Sequence, residues 1–159
     1  MQYNEVKFDC RHFRTGIPCV PNKVKGEICS SCQSYDRIEK KILIIKLGAL
    51  GDVIRTTPLL EKFKEEYEGV HFTWLTHSPA ILPKNEIDVI YKWDQTSLYI
   101  VENTEFDIAI NLDKDFEACM LLNNVKAKEK FGYTWKDGHI APATSNTEHK
   151  LITGFFDQS

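Results

Sequence analysis

The chain has 159 residues, 42% hydrophobic and 27% charged, with a formal net charge of −3. That length suits one ordinary domain and is short for two. The balance offers no broad attraction for nucleic acid, and no run approaches the roughly 20 apolar residues that span a bilayer. The opening residues are polar and contain cysteine, with no apolar h-region, so no secretory signal is expected. The expectation is a cytoplasmic protein without a nucleic-acid partner, with a peripheral position at the inner membrane left open.

The pattern divides near Glu39. Residues 1–39 hold four of the five cysteines and show no clear period, whereas residues 40–159 alternate short apolar runs with amphipathic stretches. This predicts a small Cys-rich segment followed by a Rossmann-like α/β domain, a doubly wound parallel sheet.

In the first segment Cys10, Cys19, Cys29 and Cys32 are separated by eight, nine and two residues. Thiols in a reducing compartment more often bind metal than form disulfides, and a C-x-x-C pair grips one tetrahedral ion well. The four cysteines are therefore candidate ligands of a structural zinc, with an iron–sulfur cluster or free thiols as alternatives. His12 is a possible substitute for one thiolate.

In the second segment Lys41–Leu47 is continuously apolar, as a central parallel strand with both faces covered would be. Gly48-Ala49-Leu50-Gly51 breaks it, and a helix follows from Asp52, where Pro58 either kinks it, the favoured reading, or sits at the first turn of a helix that starts later. Further strands are expected at Val70–Thr76, Asp88–Trp93, Phe106–Leu112 and, shorter, Lys130–Tyr133. Helical stretches are expected near Pro79–Leu82, Thr96–Glu102, Phe116–Asn123 and Thr147–Phe156. If the strand order is 3-2-1-4-5, the first and fourth strands lie side by side. The crevice beyond their C-terminal ends then binds ligand, with Gly48–Asp52 and Asp113–Asp115 on its two lips. The glycine spacing lacks the G-x-G-x-x-G fingerprint, which disfavours a nicotinamide cofactor.

The run from Ile42 to Leu60, ILIIKLGALGDVIRTTPLL, resembles the opening of family 9 glycosyltransferases, the heptosyltransferase family. Those enzymes begin with an apolar strand ending in Lys or Arg, a small-residue loop, Gly-Asp, and a helix bearing Thr-Pro. Phe106–Leu112 and Lys126–Tyr133 match in kind, and the similarity runs from about Lys41 to Asp157. The resemblance implies the N-terminal, acceptor-side half of a two-domain GT-B transferase that inverts the anomeric carbon and needs no catalytic metal. It implies a glycan or lipopolysaccharide-type acceptor. It also implies a nucleotide-sugar donor such as ADP-heptose, held by a C-terminal domain beyond this chain, and little or no activity for this half alone. Family 9 in general lacks the cysteine segment.

By that resemblance Asp52 is the general base that takes the acceptor hydroxyl's proton; read from position alone, it caps the helix. Gly48 and Gly51 allow either a tight turn or a ligand's approach to backbone N–H groups. Lys46, a cation ending an otherwise apolar strand, either holds an acceptor anion, steadies Asp52 or snorkels to the rim. Arg55 meets the same anion or faces solvent. Asp113 and Lys114 are candidate substrate contacts or, with Asp115, an acidic helix start; the resemblance transfers no specific role to them. Gly132 and Tyr133 are placed on the cleft floor, and Cys119 reads as a core residue. The competing reading of the whole chain is a zinc-bearing binding or regulatory module on a Rossmann scaffold, without chemistry of its own.

Overall fold

The structure is a computed structural model that describes residues 1–48 and 50–155. Six strands form one sheet: β1 (Lys40–Ile45), β2 (Val70–Thr76), β3 (Val89–Lys92), β4 (Glu105–Asn111), β5 (Lys126–Lys136) and β6 (His139–Pro142). Their order is β3-β2-β1-β4-β5-β6, parallel throughout except for the antiparallel β6. The expected 3-2-1-4-5 arrangement is present, with β1 central and the four-residue strands β3 and β6 at the two margins.

Six helices accompany the sheet: α1 (Val20–Lys25), α2 (Leu50–Thr56), α3 (Pro58–Glu66), α4 (Gln95–Glu102), α5 (Phe116–Asn124) and α6 (Glu148–Phe155). Successive side chains of a strand point to opposite faces. Ile42 and Ile44 of β1 accordingly join a core with Val53, Leu60 and Phe63 of α2 and α3. Leu43 and Ile45 join a second core with Val101 of α4 and Ala118, Leu121 and Leu122 of α5. All four β1 side chains are fully buried. Each such aliphatic side chain contributes roughly 1.5–3 kcal/mol relative to exposure, which explains the unbroken apolar run.

Pro58 stands in the first turn of α3, with a break from α2 at Thr57, so the kink and the later helix start both hold in part. Thr57 keeps right-handed helical dihedrals between α2 and α3. Proline has no N–H to offer the Ile54 carbonyl, and the Thr57 hydroxyl donates to that carbonyl instead, at 2.7 Å. The Thr-Thr-Pro sequence thus carries its own repair for the broken ladder.

Three expectations are corrected. The first strand ends at Ile45, so Lys46 and Leu47 belong to the loop above it. The fifth strand has 11 residues rather than the four of Lys130–Tyr133. Its first half, Lys126 to Lys130, is mostly charged and exposed, which hid a strand whose backbone nonetheless pairs with β4 from Glu105 onward. The missing sixth strand follows a two-residue turn at Asp137-Gly138, where φ is 54° and 82°. That pair of positive dihedrals is the hairpin geometry Asp-Gly favours. Phe156, the expected end of the last helix, lies outside the described residues.

Residues 1–39 lie against the N-terminal ends of the strands. The Arg11 guanidinium donates to the Val70 carbonyl at the start of β2 (2.7 Å), and pairs with Asp88 just before β3 (2.5 Å) and Asp36 (3.0 Å).

Candidate functional site

The C-terminal ends of β1 and β4 are tied together by one carboxylate. Asp113 is buried, with its side chain 6% exposed. It pairs at 2.5 Å with the Lys46 ammonium, whose side chain is 12% exposed. The second Asp113 oxygen accepts the backbone N–H of Leu47. One side chain from the β4 end therefore fixes two consecutive residues of the β1–α2 loop. Asp113 is in turn oriented by Asn111, whose side-chain oxygen accepts the Asp113 N–H (3.0 Å). The Asn111 amide donates to the carbonyls of Asp113 (2.9 Å) and Tyr133 (2.8 Å).

Gly132 completes the arrangement, with φ at +92°. A Cβ built there would lie 1.9 Å from the Asn111 carbonyl oxygen, so β5 reaches β4 this closely only with glycine. Sequence reasoning missed the Asn111 network. Its readable signal was a lone amide at the end of an apolar strand, a group that must find partners once buried.

Asp113 therefore does not sit in an acidic helix start, one of the two readings available from sequence; its carboxylate turns inward to the β1 loop. Asp115 takes the N-cap position of α5, without a capping hydrogen bond from its side chain. Lys46 does not snorkel and, among the described residues, pairs with Asp113 rather than Asp52. Lys114 is brought elsewhere: its ammonium lies 5.4 Å from the Tyr133 ring centroid and donates to the Lys150 carbonyl of α6 at 3.4 Å.

Asp52 stands in the first turn of α2, where the positive end of the helix favours a carboxylate. Its side chain is 54% exposed, and its nearest ionic partner is Arg55 at 3.7 Å on the same helix. Such an exposed pair contributes at most about 1 kcal/mol, so this carboxylate remains available to a ligand. Arg55 also lines an open groove of about 380 Å3, shared with Thr56, Pro58, Leu59, Lys62 and Leu112. The groove runs along the α2–α3 kink to the end of β4, an apolar floor flanked by two cations.

Gly48 stands in a bend after β1 and Gly51 within α2, neither at positive φ. A Cβ at Gly51 would meet open space, and one at Gly48 would lie at ordinary contact distance, 3.7 Å, from Asp113. Cys119 is buried as expected, and burial pushes its thiol up to about 11.

A larger cavity, about 520 Å3, is at the opposite end of the sheet, beside Arg11, Gly69 and Asp88. In open parallel sheets ligands bind beyond the C-terminal ends of the strands, so size alone does not move the site there.

The cysteine segment departs from expectation. Cys10, Cys19, Cys29 and Cys32 carry free thiols. Among the described residues no three His, Cys, Asp or Glu side chains stand in an arrangement that could hold a metal ion. The Cys32 sulfur is turned to the Glu27 carboxylate, 3.7 Å away. The structure therefore does not show the four-thiolate zinc knuckle. It does place all four cysteines, with His12 and Glu27, around one small cavity of about 30 Å3.

A parallel sheet in this order, helices on both faces and polar groups gathered above its two central strands define a Rossmann-like α/β fold. Comparison with known proteins narrows the class. Over 114 residues, 62% of the chain, the sequence is 24% identical to the lipopolysaccharide core heptosyltransferase OpsX of Haemophilus influenzae, covering 31% of that protein. The crystal structure of the glycosyl transferase family 9 protein from Veillonella parvula matches with a TM-score of 0.51 at 25% identity, over 60% of this chain and 32% of that one. The E. coli heptosyltransferase WaaC, solved with ADP, shares the fold with a TM-score of 0.52 at 17% identity, over 75% of this chain and 48% of that one. No family profile matches the chain. The protein is thus similar to family 9 glycosyltransferases in sequence and in fold, and spans about a third to a half of the length of these relatives. Among the described residues no helix is long and apolar enough to cross a membrane.

Proposed function

We propose that this chain is the acceptor-binding part of an inverting, metal-independent glycosyltransferase of heptosyltransferase type. It would move a sugar from a nucleotide donor such as ADP-heptose to a glycan or lipopolysaccharide-type acceptor. The observation that carries the reading is the Asp52 carboxylate, half-exposed in the first turn of α2 above the central strand. In the transfer the acceptor oxygen bonds to the anomeric carbon while the bond from that carbon to the nucleoside diphosphate breaks. The acceptor's proton passes to Asp52, as a positioned carboxylate can accept it while the oxygen attacks. Lys46 and Asp113 act through position, holding the loop from which α2 starts. Gly48 and Gly51 leave room for a ligand beside that loop, Arg55 and Lys62 suit an anionic acceptor in the groove, and Lys114 with Tyr133 lies at the far lip.

The donor is assigned to a second domain, in keeping with relatives up to about twice as long and with the ADP in the WaaC structure. A lipid-linked acceptor would bring the protein to the inner face of a membrane from the cytoplasm, without a span.

The test supplies the chain, fused or mixed, with a family 9 nucleotide-sugar domain and follows transfer from ADP-heptose. Transfer that falls at least 1,000-fold in Asp52→Asn, at unchanged stability, is the expected result. Full activity in that variant would remove Asp52 as base. Partner binding indifferent to Asp52, with no transfer by the assembled protein, would instead favour a non-catalytic module.

A further inference from the structure

Residues 1–39 fold without a core of their own. Pro21 is the one fully buried residue among them, while Tyr3, Phe8, Ile17, Val20, Val24, Ile28 and Tyr35 all stand exposed. A segment that buries so little apolar surface does not offset the entropy of ordering its backbone, roughly 1–2 kcal/mol per residue. Part of the compensation is Arg11, which bolts the segment to Val70 and Asp88. The interior of the segment itself holds the small cavity described above.

That cavity is what the local chain geometry converges on. Cys10 pairs across an isolated antiparallel bridge with Arg37, bringing the start and end of the segment together. Cys19 takes the N-cap position of α1, which ends at Gly26 in a left-handed turn (φ 70°). The chain then returns to a 3-10 turn at Cys29–Ser31, with Cys32 directly after it. Three separate stretches thus deliver four thiols to one enclosure of about 30 Å3, a space for one small ion rather than for an organic ligand.

We propose that Cys10, Cys19, Cys29 and Cys32 together bind a single zinc ion, as a structural site that holds residues 1–39 folded against the N-terminal ends of the strands. Zinc–sulfur bonds of about 2.3 Å put tetrahedral sulfurs about 3.8 Å apart, close to the contact distance of two thiols. As they stand these side chains are not arranged to hold an ion, so binding requires the sulfurs to rotate inward, that of Cys32 away from Glu27. Glu27 keeps its partners without it, since Ser34 donates to its carboxylate at 2.6 Å and the Gln33 amide at 3.3 Å. Binding releases the protons of the thiols as thiolates form, and its free energy becomes folding free energy of the segment. Four thiolates leave no open coordination position, and the site lies at the opposite end of the sheet from Asp52. The ion therefore has no part in sugar transfer, and the proposal stands independently of the transfer reading.

The experiment uses the full chain purified under reducing conditions without chelator. Elemental analysis should give one zinc per chain. Cobalt(II) titration of the metal-stripped chain should give the near-ultraviolet sulfur-to-cobalt charge transfer of a four-thiolate tetrahedral site, saturating at one equivalent. Cys29→Ser should weaken binding at least ten-fold, while His12→Ala and Cys119→Ser leave it unchanged. A chelator should open residues 1–39 to protease while the sheet stays resistant. Absence of both zinc and cobalt charge transfer would overturn the proposal, as would an iron-dependent chromophore or disulfides between these cysteines. A cobalt spectrum that His12→Ala abolishes would overturn the four-thiolate assignment. Should Cys29→Ser fail to fold, the cobalt titration of the wild-type chain decides alone.

Discussion

Replacing Asp113 by alanine strips a buried ammonium of its counter-ion and the Leu47 amide of its acceptor in one step. With both side chains about nine-tenths buried, breaking such a pair costs roughly 3–5 kcal/mol, most of it the penalty of leaving Lys46 charged and unpaired. The orphaned amide adds about 1–3 kcal/mol. Because one carboxylate serves both groups, the two losses are not additive, and about 4–6 kcal/mol is the expected total. Against a domain stability of about 5–15 kcal/mol, that is a third or more of the whole. Urea unfolding followed through Trp74, which is fully buried, reads the loss directly. With a slope near 2 kcal/mol/M, the midpoint falls by about 2–3 M. The decisive comparison is a cycle with Lys46→Met and the double variant Lys46→Met/Asp113→Ala. If the cost is an unpaired buried charge, removing the second charge recovers at least half of it. A loss below about 1 kcal/mol for Asp113→Ala, the range of a surface pair, would refute the reasoning, as would simple addition of the two single losses.

Two further outcomes are expected. Gly132→Ala places a Cβ against the Asn111 carbonyl at φ +92° and costs over about 3 kcal/mol. Gly138→Ala, at φ +82° but in open space, costs about 1 kcal/mol; equal melting temperatures for the two variants would contradict the close-approach argument. For Cys119, raised from 9.0 to about 11 by burial, the folded state binds the proton more tightly than the unfolded state. Its stabilising contribution is complete below pH 9 and is lost as pH climbs through 11. Stability of the wild type therefore falls more steeply over that window than stability of Cys119→Ser; identical slopes would show that the thiol is not protected.

Much of the sheet was readable because β1, β2 and β4 are buried on both faces, and burial on both faces writes a continuous apolar run. The same logic hid β5, whose charged first half faces solvent while its backbone pairs. The Asp137-Gly138 turn was a legible hairpin signal without enough apolar sequence after it to draw notice. At the site, the Gly-Asp block located the loop and helix. The pairing of Lys46 with Asp113 joins residues 67 apart, and no local pattern announces a contact that depends on two strands becoming neighbours. Asn111 illustrates the same limit: its importance arises only when Gly132 brings β5 against β4. For the cysteines, spacing predicted a four-thiolate metal site; the thiols line one small cavity without the arrangement that holds an ion.

The two margins of the sheet have a consequence for behaviour at high concentration. Unpaired strand edges recruit other chains when they are long, flat and free of interruptions. Here one boundary is only four residues long, and the other, equally short, finishes at Pro142, whose nitrogen has no hydrogen to donate. β6 covers β5 only from Tyr133 to Lys136, and along the rest of that rim Lys126 to Lys130 is mostly charged, so side-chain repulsion guards this margin against edge-to-edge pairing.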